Sequence, residues 1–310
     1  MSYIPCSSAN ASTENSDTTI KCDPVSRIII PRTGDIGGFK VHRALPFRDQ
    51  RMVGPFIFWD QMGPGEFLTN QGVDVRPHPH IGLSTVTYLF DGSLDHKDSL
   101  GNDIRIHPGD INLMRSGSGI VHSERTGKDI RQNPSNLFGI QSWLALPKSL
   151  ETTNPTFENT QKKSLPTFSD QGISGTVIMG SFETDTSPVH QDWETLYLDV
   201  QLEPNQQFKV PKHIEERALF AVKGSFSLNG DDFKSQQMIV LKPGHEAIVT
   251  ATSPLHLMVL GGAAMDGPRF IDWNFVASDK EMIQDAKDRW QNQDFPNVPG
   301  DDKERIPLPK

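Results

Sequence analysis

The chain is short of the features that mark several common protein classes. It has only 2 cysteines in 310 residues, Cys6 and Cys22. Both fall in a stretch rich in Ser, Thr and Asn, where a disulfide would close only a loose loop. A zinc site there would lack partner ligands, so reduced thiols are expected. No apolar run approaches the ~20 residues that a membrane-crossing helix needs. The opening "MSYIPCSSANASTENSDTTIKCD" has neither the basic start nor the apolar segment of a secretory signal. Residues 1–24 are therefore read as a disordered tail, and a cytoplasmic location without membrane attachment is expected. Positive charge is also scarce: 30 Lys and Arg stand against 39 Asp and Glu, a net charge of −9, with no Lys/Arg-rich run. Direct nucleic-acid binding by phosphate neutralisation needs such a patch and is not expected.

What the chain does have is punctuation. Its 23 prolines and 25 glycines suit short strands better than long helices. From Val25 onward, β-branched and aromatic runs alternate with turn signals, as in "TVTYLF-DGS", "IRIH-PGD", "INLM-RSGSG" and "FGIQSWLALP". Closely spaced strands of this kind indicate an antiparallel sandwich or barrel. The stretch "TTNPTFENTQKKSLPTFSDQG" reads as a linker over residues 151–174, after which β-type patterning resumes. The two sides of this stretch share a phrase. "YLFDGSLDHKDSLGNDIRIHPGD" and "FAVKGSFSLNGDDFKSQQMIVLKPGH" both run strand, Gly-Ser turn, strand, Pro-Gly turn, which suggests two copies of one β unit, over 25–150 and 175–264. Residues 265–310 carry the clearest helix, "SDKEMIQDAKDRWQNQDF". Ser278 is the expected N-cap, Glu281 completes a capping box, and Met282, Ile283, Ala286 and Trp290 form one face that should pack on a barrel.

The candidate chemistry lies in "VRPHPHIGLSTVTYLFDG" and "GSGIVHSERT". Residues i and i+2 of a strand share a face, and a proline after His78 favours an extended backbone there. His78 and His80 would then point one way, as would His122 and Glu124 on a second strand. Three imidazoles and a carboxylate meeting at one point suit a divalent first-row metal with positions left open; zinc could instead use all four in a closed tetrahedral site. His96 and His107 sit among charged or turn residues and read as solvent-facing. His42, His190, His213, His245 and His256 have no partner at ligand spacing. "RSGSG" reads as a tight turn. In "FIFWDQMGPGEF", Phe56, Phe58 and Trp59 could line a pocket entrance, with core packing expected for at least two of them.

"RPHPHIGLSTVTYLFDG", "HKDSLGN", "HPGDINLMRSGSGIVHSE", "FWDQMGP" and "RFIDWNFVASDKEMI" resemble the pirin family of the cupin superfamily, and the resemblance runs from about Val25 to Asp301. It implies an all-β bicupin, two stacked antiparallel jelly-roll barrels with a C-terminal helix, and one metal in the N-terminal barrel. The family's ligands fall on His78, His80, His122 and Glu124. Many other cupins take their carboxylate a few residues after the H-x-H pair; here Ser84 and Thr85 stand in that place, so Glu124 supplies it, as in pirins. In the second barrel the corresponding positions hold Val210, Lys212, Leu257 and Val259, which implies a structural role without metal. Fe(II) is the metal the resemblance implies, with Zn, Mn, Ni, Co or Cu as alternatives.

Two functions follow from the resemblance. One is a quercetin 2,3-dioxygenase-type ring cleavage acting on a flavonol-like aromatic substrate with dioxygen, with Glu124 as ligand and proton acceptor. The other is an iron-dependent, redox-sensing partner of a transcription factor or metabolic enzyme. A cupin acting on some other small acid or phenol is a third possibility.

Overall fold

The computed structural model describes residues 24–36 and 39–309. Residues 1–23 of the expected tail, including both cysteines, lie outside the described residues. The described chain is β throughout except for short 3₁₀ turns and one α-helix, Lys280–Gln291.

Four sheets make the frame. One seven-stranded sheet runs in the order Thr156–Thr160, Ile111–Arg115, Leu83–Gly92, Ser135–Ala145, Phe56–Phe67, Phe39–Leu45 and Arg32–Ile36. A four-stranded sheet of Asp74–His80, Ile120–Arg125, Leu94–Asp98 and Asp103–Ile106 accompanies it. The other half repeats the plan. Its seven-stranded sheet includes Thr195–Leu202, Glu216–Lys223 and Leu255–Gly262, and its four-stranded sheet is Gln207–Lys209, Ile248–Ala251, Ser225–Leu228 and Asp231–Lys234. This is the expected bicupin plan of antiparallel sheets, with each half a two-sheet sandwich rather than a closed cylinder.

The apolar pattern explains the stacking. The two seven-stranded sheets face each other through Trp59, Tyr88, Ile111, Leu113 and Ile140 on one side and Tyr197, Phe220, Met238, Met258 and Leu260 on the other, all in one buried cluster. Their opposite faces are covered as well, so central strands such as "TLYLDVQL" are buried at nearly every residue, as a strand packed on both sides requires. Inside the second half, Leu198, Phe208, Phe226, Ile239, Val249, Leu257 and Val259 fill the interior with apolar side chains. Val210 is in the same core.

The repeated Gly-Ser turns share a backbone. Gly92 and Gly224 both adopt a left-handed φ (82° and 87°), and a Cβ on either would lie 2.1 Å from a carbonyl oxygen, of Asn136 and Pro254 respectively. Only glycine fits both constraints.

Three expectations are corrected. Residues 151–174 are not a bare linker. Thr156–Thr160 pairs with Ile111–Arg115, and Thr167–Asp170 pairs with Ile173–Met179, so one strand extends each large sheet. The prolines and polar residues there mark edge strands, where they are tolerated. Val25–Ile29 does not join the first half, where it was placed. It pairs with Met238–Leu241 in the second. The helix cap also moves by one residue: Asp279, not Ser278, accepts the amide of Glu281. Ser278 donates its amide and hydroxyl to Glu151 instead. The helix face is as expected, with Ile283, Ala286 and Trp290 buried against Ile81, Val121 and Phe275 of the first half and its covering segment.

The ends of the chain are thus exchanged. The first strand completes the second half, and the C-terminal segment returns to cover the first. The hairpin Phe270–Asp272/Phe275–Ala277 bridges to Ile81, and the amide of Ile306 donates to the Pro77 carbonyl at 2.9 Å.

Candidate metal centre

In the first half His78, His80 and His122 bring their ligand atoms within 4.8 Å of one another, and Glu124 does the same with His122 and His96. Asp74–His80 is the edge strand of its four-stranded sheet, which is where a strand carrying two prolines can lie without wasting ladder positions. Pro77 and Pro79 restrict Arg76 and His78 to extended backbone, so His78 and His80 project from the same face. The strand pairs with Ile120–Arg125, setting His122 opposite His78 and Ile120 opposite His80. Between His122 and Glu124 the register slips. Such irregularities re-aim side chains, and here Glu124 turns beside the histidines.

All four side chains are buried: His78 is 6% exposed, His80 1%, His122 1% and Glu124 5%. The ring centroids of the three histidines lie 4.4–5.0 Å apart, and their ligand atoms form one compact group. Two of the nitrogens are accounted for by carbonyl acceptors. His78 Nδ1–H donates to Arg76 O at 2.8 Å, and His80 Nδ1–H donates to Asn274 O at 3.2 Å. Each then presents a bare Nε2 to the centre. His80 Nε2 and His122 Nε2 are 3.0 Å apart, which matches two neighbouring donors each ~2.1 Å from one ion at roughly a right angle.

Burial holds the pKa of His78 below the ordinary histidine value, and those of His80 and His122 well below it. Charge repulsion from His78 adds to this at His80 and His122, whereas Glu124 partly counters it at His78. Neutral imidazole is the ligating form. Gln141 Nε2 donates to both Glu124 oxygens at 2.8 Å, with Thr87 Oγ1 a further 3.4 Å donor. The carboxylate is therefore aimed as well as buried. Three buried imidazoles and a carboxylate suit a single metal ion, and with no sulfur in the set the preference is for a first-row transition metal.

A cavity of about 530 Å³ opens over the centre and reaches His78 and Glu124. Its wall mixes aromatic side chains, Phe58, Trp143 and Trp273, with charged ones that include Arg43, Asp60 and Arg76. Trp143 stacks on Phe58 with centroids 4.0 Å apart and meets His80 edge-on at 5.2 Å. Arg43 lies over the Phe58 ring at 4.4 Å and forms a two-pronged bond to Asp60 at 2.8 and 2.6 Å. Burial raises the pKa of Asp60, and the hydrogen bond and charge of Arg43 pull the other way. Phe56 and Trp59 are core residues and Phe58 faces the cavity, so the expected division among these three aromatics holds.

The residues that sequence reasoning missed surround this set. His107 is exposed as expected, but His96 is not solvent-facing: it is 2% exposed and its Nδ1 lies 3.5 Å from His122 Nδ1. His96 and Asp98 alternate with the charged Asp95 and Lys97, which take the outer face of the strand. A H-x-D spacing in "LDHKD" was the available signal. Gln141 and Asn274 had none, because their roles depend on contacts between distant segments. In the second half, His256 is bonded to Asp199 at 2.7 Å.

Fold and site together define a two-domain cupin whose first half carries a His/Glu cluster suited to a single metal ion. Comparison with known proteins agrees. The Pirin family's sequence profile matches residues 38–144, and that of the Pirin C-terminal cupin domain matches residues 197–296. A pirin-like protein of Caulobacter vibrioides is 40% identical over 284 residues, 90% of this chain and 97% of its own. One from Solanum lycopersicum is 27% identical over 273 residues, 86% of this chain and 90% of its own. Among solved structures, a quercetin 2,3-dioxygenase from Acinetobacter baumannii superimposes with a TM-score of 0.85 at 31% identity, covering 92% of this chain and 95% of its own. The chain belongs to the pirin family. No helix among its described residues is long and apolar enough to cross a membrane.

Proposed function

We propose that the protein is a metal-dependent dioxygenase of the quercetin 2,3-dioxygenase type, with His78, His80, His122 and Glu124 holding a single Fe(II). The observation that carries this reading is the cluster of three buried imidazoles beside an aimed carboxylate, with His78 and Glu124 reaching a cavity that Phe58, Trp143 and Trp273 also line. The likeness to the Acinetobacter baumannii quercetin 2,3-dioxygenase supports it. When bound, such an ion supplies Lewis acidity and a redox partner for dioxygen.

The chain's own residues set up the rest. A flavonol is a flat aromatic, and Phe58, Trp143 and Trp273 give the cavity its aromatic lining. Glu124 reaches the same cavity, so one of its oxygens accepts the proton of the substrate hydroxyl, a transfer that needs ~2.6–3.2 Å approach. Gln141 holds the carboxylate in position throughout. The C-terminal hairpin closes one side through Trp273 and Asn274. The outcome is oxygen-dependent cleavage of the heterocyclic ring with release of carbon monoxide.

The test is aerobic turnover of quercetin by the Fe(II)-loaded protein, followed by oxygen uptake and loss of flavonol absorbance. Glu124→Gln should abolish turnover while retaining part of the metal. Undetectable turnover across several metals and several flavonols would overturn the reading.

A further inference from the structure

We infer that His96 and Asp98 form an outer relay that sets the tautomer and ring plane of His122, and through them the strength of the metal centre. The inference rests on the metal-centre reading above and assigns two residues outside the His78–His80–His122 group, although the ligand atom of His96 lies within 4.8 Å of those of His122 and Glu124.

The argument is a count of hydrogens along a buried chain. Asp98 is fully buried and its carboxylate is surrounded by donors. Oδ1 accepts the amides of Leu100 and Asn102 at 2.9 and 3.1 Å, and the Asn102 side-chain amide reaches both oxygens at 3.1 and 2.8 Å. Oδ2 also lies 3.2 Å from His96 Nε2. A carboxylate held this way only accepts, so His96 carries its hydrogen on Nε2. In the tautomer with its one hydrogen on Nε2, His96 has a bare lone pair on Nδ1. That lone pair faces His122 Nδ1 at 3.5 Å, so the hydrogen between them belongs to His122. With Nδ1–H occupied, His122 Nε2 is bare and points at the Nε2 of His80.

Each of the three ligand histidines is thus held by a hydrogen bond on its Nδ1, but not by equivalent partners. His78 and His80 lean on backbone carbonyls, which a substitution cannot remove. His122 leans on a side chain that a second side chain has already oriented. Ligating histidines gain basicity and a fixed orientation from such outer partners.

Packing holds the relay. The His96 ring lies nearly parallel to Phe157, with centroids 4.7 Å apart and 20° between planes. Phe157 belongs to the edge strand formed by the segment expected to be a linker. In the sheet, His96 sits opposite Glu124 and Asp98 opposite His122, so the relay runs beside the ligand strand.

The experiment uses the full chain loaded with Zn(II), which is free of redox side reactions. Histidine-labelled protein reports each ring's tautomer by nitrogen–proton NMR, and chelator competition gives the affinity. In the wild type, His122 should carry its proton on Nδ1. His96→Leu removes the acceptor and should weaken zinc binding about 10–100-fold with the circular dichroism spectrum unchanged. His96→Gln restores a carbonyl acceptor and should recover most of that loss. Asp98→Asn is nearly isosteric, yet its amide can donate to His96 Nε2 and reverse the tautomer. It should weaken binding as much as His96→Leu, which a purely steric role for Asp98 does not require. A wild-type His122 bound through Nδ1, or His96→Leu and Asp98→Asn binding zinc as tightly as wild type, would overturn the relay alone. A wild type that takes up no metal would overturn the metal-centre reading and the relay with it.

Discussion

The covering of the metal centre depends on a buried ion pair far from the ligands. Arg269 and Glu151 lie 3.0 Å apart with side chains 0% and 2% exposed. Arg269 also donates to the Leu146 carbonyl at 2.7 Å and to the Gly267 carbonyl at 2.9 Å, and it pairs with Asp266. Glu151 accepts the amide and hydroxyl of Ser278 at 2.8 and 2.6 Å. The hairpin between Arg269 and Ser278 is thereby clamped at both ends, and its Asn274 carbonyl is the partner of His80 Nδ1. Arg269→Met keeps most of the side-chain volume but leaves Glu151 buried without its cation. Breaking one side of a buried pair costs about 3–5 kcal/mol, and that loss should appear in urea unfolding of metal-free protein. Adding Glu151→Gln removes the orphaned charge while keeping an acceptor for Ser278. The double variant should therefore recover about 1–3 kcal/mol relative to Arg269→Met alone. Metal affinity should fall with the single variant, because the hairpin that orients His80 is loosened. A loss below about 1 kcal/mol, or a double variant no more stable than the single, would refute the view that this pair anchors the cover.

Other expectations follow from the same contacts. Gly224→Ala meets a left-handed φ and the Pro254 carbonyl together; the conformation alone costs about 1–2 kcal/mol, so a smaller loss of stability in urea unfolding would contradict the geometry. Phe58→Ala removes the stacking partner of Trp143 and should destabilise by about 3 kcal/mol, raising KM for a flavonol while zinc content stays at one equivalent. In metal-free protein, His80 and His122 stay neutral where their unfolded counterparts, with pKa about 6.5, take up protons. The unfolded state therefore binds more protons below that pH, and stability falls with acidification by up to about 1.4 kcal/mol per pH unit for each histidine. Above pH 6.5 this contribution is constant. A melting temperature that does not fall between pH 7 and pH 5.5, or falls as steeply in His122→Gln, would count against the burial of these rings in neutral form.

Much of the site was legible because strand alternation is a local rule. The i, i+2 spacing of His78 with His80 and of His122 with Glu124 needs only extended backbone to place each pair on one face, and Pro79 supplies that bias at His78. The Gly-Ser turns at Gly92 and Gly224 were legible for a similar reason, since a left-handed turn asks for glycine wherever it occurs. Where local reading failed, charge or polarity was taken for exposure. His96 lies between Asp95 and Lys97, which look outward, while it faces Phe157 and His122. The stretch from Thr156 to Asp170 looked like a linker because it is polar, yet it forms edge strands whose outer sides remain wet. Ser278 had the right chemistry for a helix cap, but Glu151 claimed it from another part of the chain.

The sequence by itself determined the all-β class, the repeated Gly-Ser turn, the helix face and the placing of His78 with His80 and of His122 with Glu124 on one strand each, because each depends on neighbours within a few residues. Tertiary structure alone decided how that centre is supported. His96 and Asp98 orient His122 only once their strand pairs with the ligand strand. Gln141 aims Glu124 from a different sheet. Asn274 holds His80 only because the chain's ends are exchanged between the halves. Those contacts link residues 17 to 194 positions apart, and no local pattern encodes a hydrogen bond whose two ends meet only after the sheets have stacked.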